Sequence, residues 1–414
     1  MLNKLPAGWQ QCCFEDVLDY EQPTKYIVKN TNYEDKGVAV LTAGKSFILG
    51  YTKETTGIFY GDKEPVIIFD DFTTSSKLVK FPFKVKSSAM KILHARDNIN
   101  IDFIYYLMQT ISYRNETHKR YWISEYAKQK LNLPPLEEQG RIVEKIEELF
   151  SDIDNGIKDL KTAQAQIKQY RQSVLKSAFE GKLYKTSEWK EVKLEDVCQI
   201  NPKTEIKDMK DDDIVSFLPM TSVKAECNYY TEENVLYSKV KKGYTKFKNG
   251  DVLFAKITPC MENGKVCIVD NLIQDIGFGS TEFHILRCLN NIIPKYVYYV
   301  VIQQCFRKKA KKNMVGAVGQ QRVPADFMKN FDILLPSLLE QQQIVAEIEK
   351  RFLVADELEK AVNEGLEKAD KLKQSILKKA FEGKLVPQDP NDEPASALLD
   401  RIKKEQKPTK GKKK

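Results

Sequence analysis

The chain has 414 residues and a formal net charge of +8, and 42% of its residues are hydrophobic. This length predicts two to four domains, and the apolar content excludes a disordered chain. The longest apolar run, residues 296–302, cannot span a bilayer, and the eight cysteines lack metal-ligand spacing, which excludes membrane proteins and zinc fingers.

In chain order, the predicted elements alternate between strand-rich segments and long helices. Short apolar runs bounded by Gly, Pro, Asp and Asn predict strands at Val38–Leu41, Val66–Phe69 and Val252–Phe254. The first long helix is predicted within 133–185, because apolar or small residues there recur at alternating steps of four and three. This spacing is typical of a heptad seam, and its members are residues 142, 146, 149, 153, 156, 160, 163, 167, 170 and 174.

The second helix carries the same seam with one interruption. Its predicted seam residues are Ile344, Ile348, Ala355, Leu358, Val362, Ala369, Leu372 and Ile376. Arg351 interrupts the seam, and we expect Phe352 to replace it. Gly181 and Gly383 are expected to end the two helices as C-cap glycines. The last fourteen residues, 401–414, hold eight basic residues and one acidic residue, which is nearly the whole net charge.

The chain is an internal repeat. Residues 133–183 align with 335–385 without a gap, and 22 of 51 positions are identical. Both copies contain Leu-Pro-x-Leu-x-Glu-Gln-x-x-Ile-Val and both end in Ala-Phe-Glu-Gly-Lys-Leu. Weaker matches precede them in the same order, and their pairs are Trp9 with Trp189, 15–17 with 195–197, 87–93 with 280–286, and 103–107 with 296–300. One scaffold is therefore used twice.

A solitary helix of about 44 residues cannot keep an apolar seam in water, so the two helices are predicted to pack together. Because the second strand-rich segment lies between them in the chain, the pair must be antiparallel, with the domains in a pseudo-two-fold arrangement. The predicted fold class is α+β: two mixed α/β domains joined by two long antiparallel coiled-coil helices. The predicted segments are a first domain at 1–132, a helix at 133–185, a second domain at 186–334, a helix at 335–386 and an extension with a basic tail at 387–414.

No catalytic motif stands out in the sequence. Thr42 to Ser46 ends like a phosphate-binding P-loop, but Ala39 replaces its first glycine and no helical pattern follows. Lys45 and Ser46 remain candidates for contact with another phosphate. The acidic runs at 70–71 and 211–213 are more typical of a strand end and a solvated loop than of a metal site. We expect no catalytic, cofactor-binding or metal-ligating residue in this chain.

Basic residues interleaved with aromatic ones indicate nucleic-acid binding. The run 77–86 alternates lysine with apolar residues, as a strand with one basic face would. Glycines at 316 and 319 precede Gln-Gln-Arg, which suits a loop that enters a DNA groove. In such a groove Arg pairs with guanine and Gln with adenine. Arg120 and Arg322 also match across the repeat; a helix-capping salt bridge to the long helices is the alternative for each. The candidate DNA contacts are Lys45, Ser46, Lys77, Lys84, Arg120, Lys246, Lys256, Lys265, Gln320, Gln321 and Arg322.

These motifs resemble the specificity subunit of type I restriction-modification systems, HsdS. The resemblance covers nearly the whole chain and is carried by Leu5-Pro6-x-Gly8-Trp9, by the paired entry and exit motifs of the helices, and by the segment 385–396. The second domain departs from the pattern because Thr186-Ser-Glu-Trp189 lacks the Pro and Gly of the first opening.

The resemblance implies two target-recognition domains that each read one half of an asymmetric, bipartite DNA site, with a spacing set by the helices. It implies a non-catalytic subunit that binds double-stranded DNA, two modification (methyltransferase) subunits and restriction (endonuclease and translocase) subunits. The cytoplasm is the expected location, because no secretory signal is visible and the cysteines are typical of cytosolic thiols. S-adenosylmethionine, ATP and magnesium are expected on those partners, which methylate adenine or restrict DNA, and not on this chain.

Three alternatives stay open. The chain could be the specificity module of another restriction class, a coiled-coil scaffold that does not bind DNA, or a stand-alone enzyme such as a fused methylase or nuclease. A DNA footprint of the assembled complex would distinguish a DNA-binding specificity subunit from a scaffold that does not bind DNA. Methyl transfer by the purified chain alone would establish the enzyme.

Overall fold

The computed structural model describes residues 5–42, 46–111, 120–184, 188–206 and 208–405. None of the helices in these ranges has an apolar stretch long enough to cross a membrane. The chain divides into two compact units, one of Met1–Leu160 with Glu364–Lys414 and one of Lys161–Asn363. Lys45 lies outside the described residues.

The first strand-rich domain belongs to the first unit. Its strands are β1 (Gln10–Cys13), β2 (Leu18–Glu21), β3 (Val38–Leu41), β4 (Ile48–Thr52), β5 (Phe59–Tyr60), β6 (Val66–Asp70), β7 (Ser76–Val79), β8 (Pro82–Val85), β9 (Met90–Ala95) and β10 (Lys130–Leu133). Its helices are α1 (Phe14–Val17), α2 (Ile101–Met108) and α3 (Tyr121–Ser124), and the long helix α4 (Leu136–Phe179) follows.

The second domain belongs to the second unit. Its strands are β11 (Lys190–Lys193), β12 (Cys198–Ile200), β13 (Ile214–Leu218), β14 (Glu233–Leu236), β15 (Thr245–Lys248), β16 (Val252–Ala255), β17 (Val266–Ile268), β18 (Ile276–Gly279), β19 (Phe283–Cys288) and β20 (Asp332–Leu335). Its helices are α5 (Leu194–Val197), α6 (Tyr237–Val240), α7 (Pro294–Ile302), α8 (Gln304–Lys312) and α9 (Ala325–Lys329), followed by α10 (Leu338–Phe381) and α11 (Ala395–Glu405).

The two domains share one strand topology, which confirms the internal repeat. Each has a two-stranded sheet, β1-β10 or β11-β20, and a four-stranded sheet in the order β2-β9-β6-β7 or β12-β19-β16-β17. Each also has a second four-stranded sheet, β4-β3-β8-β5 or β14-β13-β18-β15, whose central pair is parallel while all other pairs are antiparallel. The short sequence matches that precede the long helices therefore fall on equivalent helices and strands of the two domains.

The central strands separate two hydrophobic cores because alternate side chains point to opposite faces of a sheet. In β6, Val66 and Ile68 pack against the second sheet, whereas Ile67 and Phe69 pack toward the helices. In β16, Leu253 faces the second sheet and the neighbouring strand residues face the helices. A strand buried on both faces must be apolar throughout, which explains the predicted runs at β3, β6 and β16.

The repeated Leu-Pro-x-Leu-x-Glu-Gln motif fastens the start of each long helix. The buried Gln139 amide donates to the Pro134 carbonyl oxygen at 3.0 Å and accepts the Asn100 backbone N–H at 3.0 Å. Gln341 makes the equivalent bonds with the Pro336 carbonyl oxygen and the Ile293 N–H, both at 3.0 Å. A buried amide with partners on both sides fixes where the helix begins relative to the domain.

The repeated Ala-Phe-Glu-Gly-Lys-Leu motif ends each helix as predicted. Gly181 and Gly383 have φ of 71° and 68°, a left-handed conformation that glycine adopts without steric cost. The Lys182 and Lys384 N–H groups then bond back to Ser177 and Lys379 carbonyl oxygens at 2.9 and 2.8 Å. Ala178 and Ala380, the first residues of the two motifs, are fully buried. Each motif therefore packs the end of its helix against a core and also caps the helix.

The long helices pair antiparallel within each unit. In the first unit the Lys373 ammonium lies 2.6 Å from the Asp154 carboxylate, and Gly365 lies against Leu160. In the second unit Gln164 bonds to Asn363, and the Arg171 guanidinium binds Asp356 and Glu359. The partner number falls as the residue number rises, as an antiparallel pair requires. The predicted fold class of two mixed domains joined by coiled-coil helices is confirmed.

The seam is thinner than the heptad pattern predicted. Ile142, Ile146 and Val174 are buried, and Phe352, next to Arg351, is partly buried and packs against the core, as expected. Leu358 and Leu372, however, are 53% and 51% exposed. Arg171 and Lys373 lie over the rings of Phe352 and Phe150 and cover part of the seam in their place. Long basic side chains can cover apolar surface with their stems, and a hydrophobicity pattern does not register this.

The C-terminal extension is part of the first domain's core. Ala395, Leu398, Leu399 and Ile402 of α11 are buried against a cluster that includes Trp9 and Phe14. Residues 401–405, which were predicted to begin the basic tail, belong to α11, and residues 406–414 lie outside the described residues.

Candidate nucleic-acid interface

The predicted groove-entering loop is a hairpin, residues 315–322, that follows α8. Val315 and Arg322 exchange both backbone hydrogen bonds, at 3.0 and 2.9 Å. Gly316 and Gly319 have φ of 119° and 83°, so the chain turns where glycine is needed. Gln320 is exposed and Gln321 is half-buried. We call this segment the 315–322 hairpin.

The base of the 315–322 hairpin is fixed to the end of β16. The Thr258 N–H donates to the Gln321 carbonyl oxygen at 3.0 Å, and the Val323 N–H donates to the Lys256 carbonyl oxygen at 2.9 Å. Gln320, Gln321, Arg322 and Lys256 therefore come together, although 64 residues separate the first from the last. This cluster is the densest grouping of the predicted contacts among the described residues.

Arg322 is held by a carboxylate inside its own domain. Its Nε and Nη2 bond to Glu282 at 2.9 and 2.8 Å, and its Nη1 bonds to the Gln320 carbonyl oxygen at 3.0 Å. The guanidinium hydrogen bond lowers the pKa of the Glu282 carboxyl. The alternative of a salt bridge to the long helices is therefore wrong for Arg322, whose side chain stays 42% exposed.

Lys256 lies beside this ion pair. Burial lowers the pKa of its ammonium; Glu282 opposes that effect and Arg322 adds to it. Lys265, on the neighbouring segment, donates to the Met220 carbonyl oxygen at 2.8 Å and is half-buried. One N–H group of the Lys265 ammonium is thus used inside the domain, and the other two remain available to a phosphate.

Lys246 lies elsewhere on the second domain. It lines a groove of about 410 Å³ whose charged and aromatic residues also include Lys203, Tyr244 and one acidic residue, Glu205. Two lysines and a tyrosine on one open groove form a basic, aromatic surface of the kind that tracks a nucleic-acid backbone. The sequence pointed to Lys246 through its lysine-rich run but missed Lys203, which only the fold brings beside it.

The first domain has the same backbone arrangement at the position of the 315–322 hairpin base. The Asp71 N–H bonds to the Ala89 carbonyl oxygen and the Tyr121 N–H bonds to the Asp71 carbonyl oxygen. In the second domain the corresponding bonds join Lys256 to Glu282 and Val323 to Lys256. Arg120 and Arg322, which precede Tyr121 and Val323, are therefore structurally equivalent, as their sequence match indicated.

The side chains around the two arginines differ. In the first domain the buried Lys91 ammonium lies 3.6 Å from the Asp71 carboxylate, which also accepts the Trp122 N–H at 2.8 Å. In the second domain His284 takes the place of Lys91, and its Nε2 bonds to the Val323 carbonyl oxygen at 2.8 Å. The shared backbone thus carries two different sets of polar groups, and Arg120 itself is exposed.

Lys84 is not placed for contact with a nucleic acid. Its side chain is 2% exposed, and its ammonium bonds to the Thr56 and Gly57 carbonyl oxygens at 2.6 and 3.0 Å and to Glu54 at 3.0 Å. The predicted single strand with one basic face is also wrong, since β7 and β8 are separate strands in different sheets. A buried lysine is stable only when paired in this way, so Lys84 supports the domain.

The other candidates of the first domain lie apart. Lys77 is exposed on β7, and Ser46 is exposed in the loop before β4. The segment after Ser46 is a strand, so the described residues contain no P-loop helix there. Arg307 of the basic run on α8 is buried against Glu226, whereas Lys308 and Lys312 of that run remain exposed.

Comparison with known proteins shows the family. A family model described as "Type I restriction modification DNA specificity domain" matches residues 6–162 and 186–368. The chain belongs to this family. Members of this family of specificity subunits are non-catalytic, and the enzymatic activities reside in partner subunits. The model's two matched ranges contain the two domains described above, one in each half of the repeat.

The specificity subunits of two Escherichia coli enzymes are among its relatives. The subunit of type I restriction enzyme EcoR124I/EcoR124II is 32% identical over 391 residues, which cover 87% of this chain and 89% of that protein. The subunit of EcoAI is 35% identical over 260 residues, or 52% of this chain and 44% of that protein. The chain thus spans less than half of the EcoAI subunit in the aligned region.

Two solved structures share the fold. A chain from a structure titled "Structural basis underlying complex assembly and conformational transition of the type I R-M system" aligns with a TM-score of 0.68 at 20% identity, covering 92% of this specificity subunit and all of that chain. The crystal structure of the HsdS subunit from Thermoanaerobacter tengcongensis aligns with a TM-score of 0.50 at 19% identity, covering 93% and 99%. At these identities the likeness concerns the fold alone.

Proposed function

We propose that this specificity subunit reads an asymmetric, bipartite DNA site and directs adenine methylation or restriction by its partners. The observation that carries the proposal is the duplicated recognition domain, with one topology and two different sets of side chains at the equivalent arginines. Two copies of one reader with different reading groups suit two different half-sites. The paired long helices would set the spacing between the half-sites.

We propose that most of the residues predicted from the sequence contact DNA. In the second domain they are Lys246, Lys256, Lys265, Gln320, Gln321 and Arg322, and in the first Lys45, Ser46, Lys77 and Arg120. Lysines would contribute mainly phosphate attraction, whereas the arginine and glutamines could contact base edges. Lys84 is left out because its ammonium is used inside the domain.

The proposed partners are two modification subunits and the restriction subunits, acting on double-stranded DNA in the cytoplasm. S-adenosylmethionine, ATP and magnesium would bind to those subunits, because the enzymatic activities of this family reside in the partner subunits. The first relatives carry the name of a type I restriction enzyme, which supports this assignment.

Methylation mapping of the source genome tests the proposal. In the wild-type strain we expect methylated adenines in one bipartite motif, and we expect that motif to lose its methylation when the gene for this chain is deleted. Reintroducing the gene is the control and should restore the same motif. A genome whose methylated motifs are unchanged by the deletion, together with no DNA footprint of the assembled complex, would contradict the proposal.

A further inference from the structure

The tip of the 315–322 hairpin is apolar and stands in solvent. Val318 is 98% exposed and Val315 is 61% exposed, and Ala317 between them is exposed too. Val318 is the most exposed large apolar side chain in the described part of the chain. Covering an apolar group that is exposed to water lowers the free energy, so the tip is a candidate ligand-binding contact.

The exposure of Val318 follows from how the hairpin is held. Gly316 and Gly319 take the left-handed conformations of the turn, and the Gln320 N–H closes it on the Ala317 carbonyl oxygen at 2.9 Å. At the base, Arg322 is bonded through its backbone to Val315 and through its side chain to Glu282. These bonds fix the base of the hairpin, and the fixed base holds the tip out in solvent.

Charge around the tip selects an anionic ligand. α8 leads directly into the hairpin and carries Lys308, Lys309, Lys311 and Lys312, which are exposed, and Lys256 and Arg322 lie at the hairpin base. Lys311 is paired with Glu262 and Arg322 with Glu282, and the other exposed lysines of α8 suit an anionic partner better than an apolar protein surface. A DNA duplex offers phosphates for the lysines and a groove for the tip.

The shape of the tip favours the major groove. A hairpin can enter the major groove, which is about 12 Å wide and displays a distinct pattern of groups for each base pair. The apolar group that base pairs expose in the major groove is the C5-methyl of thymine. Gln320 and Arg322 on the same hairpin carry the amide and guanidinium groups that pair with adenine and guanine edges in that groove.

We propose that the 315–322 hairpin enters the major groove and that Val318 contacts the C5-methyl group of a thymine in the half-site read by the second domain. This inference rests on the proposed function, because it needs that domain to read DNA. It makes Val318 a specificity-determining residue, and it predicts that the half-site contains a thymine whose methyl group contributes to binding.

Thymine-to-deoxyuridine substitution tests this contact, since it removes one methyl group and leaves the base pair intact. The probe is a duplex that carries the methylated motif mapped in the genome, bound by the full chain assembled with its modification subunits. For the wild-type complex, deoxyuridine at one position of the second domain's half-site should weaken binding about fourfold. The Val318→Ser complex should bind thymine and deoxyuridine duplexes equally at that position.

Two controls keep the readout specific. Deoxyuridine in the other half-site should affect the wild-type and Val318→Ser complexes equally, because the first domain reads that half. Val318→Thr keeps one methyl group near the same place and should retain part of the preference for thymine. Since Val318 is almost fully exposed, neither substitution is expected to disturb folding.

The outcomes separate this inference from the proposed function. Specific binding with the same thymine preference in wild-type and Val318→Ser complexes overturns the contact alone, as does a second half-site in which no deoxyuridine substitution weakens binding. Failure of the wild-type complex to bind the mapped motif specifically overturns the proposed function, and the contact with it.

Discussion

Arg120 and Arg322 occupy one position of the repeat in different surroundings. Arg322 is fixed by Glu282, whereas the equivalent backbone position to Glu282 in the first domain is Ala89. A guanidinium that is held in place loses less conformational freedom when it binds a base. At the proposed interface the Glu282 carboxylate would repel phosphate, so the pair suits base contact better than backbone contact.

Substituting these two arginines should relax one half-site each. We expect Arg322→Ala to relax discrimination about 10- to 100-fold at one position of the second domain's half-site and to leave the other half-site unchanged. Arg120→Ala is the matched variant and should do the reverse. Methylation mapping of strains carrying each variant measures both halves at once. Equal relaxation of both half-sites by Arg322→Ala would contradict the assignment.

His284 makes the stability of the second domain sensitive to acid. Its Nε2 donates to a carbonyl oxygen and its Nδ1 lies 3.0 Å from the Asn201 amide nitrogen, so the ring is neutral. Burial lowers its pKa to about 4. As pH falls from the unfolded value of 6.5 toward 4, the unfolded chain binds a proton that the folded domain does not, and the free energy of unfolding falls.

The variant His284→Gln should flatten this pH dependence. Between pH 7 and pH 5 we expect the wild-type free energy of unfolding to lose about 2 kcal/mol more than that of His284→Gln, from urea unfolding followed by fluorescence. The same slope in both proteins would show that His284 does not carry the effect.

At the scale of elements, the two long helices have equal length and matched ends. α4 and α10 each contain 44 residues, and each starts with a clamped glutamine and ends with a left-handed glycine. A pair fixed at both ends can be shortened only by removing residues that face each other. The contacts Asp154–Lys373 and Gln164–Asn363 show that residues 155–161 face residues 366–372.

Removing residues 155–161 and 366–372 together should shorten the spacer of the DNA site. Seven helical residues correspond to about 10 Å, or about three base pairs, and the half-sites should stay unchanged. The single deletion of 155–161 is the control; it breaks the facing pairs and should abolish methylation. Methylation mapping reads out each strain. An altered half-site with an unaltered spacer would contradict the role of the helices as a ruler.

At the scale of the molecule, distant parts of the chain complete the first domain. The Glu138 carboxylate accepts Trp9 Nε1 at 3.1 Å and Gln388 Nε2 at 3.2 Å, and burial raises its pKa. Asp392 binds Arg141 at 2.5 Å. The N-terminal segment, the start of α4 and the C-terminal extension therefore meet in one place, and each depends on the others.

Truncation after Val386 should destabilise the first domain. It removes the four buried apolar side chains of α11 and the partners of Glu138 and Arg141, for a loss of roughly 5 kcal/mol of unfolding free energy. Truncation after Glu405 is the matched control and should leave the unfolding temperature unchanged, because it removes only residues 406–414. Thermal unfolding compares the two. Equal stability of both truncated chains would mean that α11 is dispensable.

The sequence predicted the repeat, the helix ends and the central strands because these depend on local chemistry and on periodic burial. Gly181 and Gly383 follow a helical pattern, where glycine ends a helix in the left-handed conformation. A strand that is buried on both faces must be apolar. It misjudged Lys84, whose alternating neighbours resembled an exposed basic strand. Whether a lysine faces solvent depends on which carbonyl and carboxylate groups the fold brings to it, and these come from residues 54–57.

The sequence by itself determined the duplicated scaffold and, through its motifs, the family. Only the tertiary structure decided which polar groups meet: it joined Arg322 to Glu282 and Lys256, placed His284 under the hairpin, and left Val318 in solvent. The physical reason is the distance along the chain over which the residues that form each feature are spread. Helix seams, caps and strand patterns repeat within a few residues and can be read locally, whereas a binding surface is assembled from segments far apart in the chain, whose meeting depends on the packing of the whole domain.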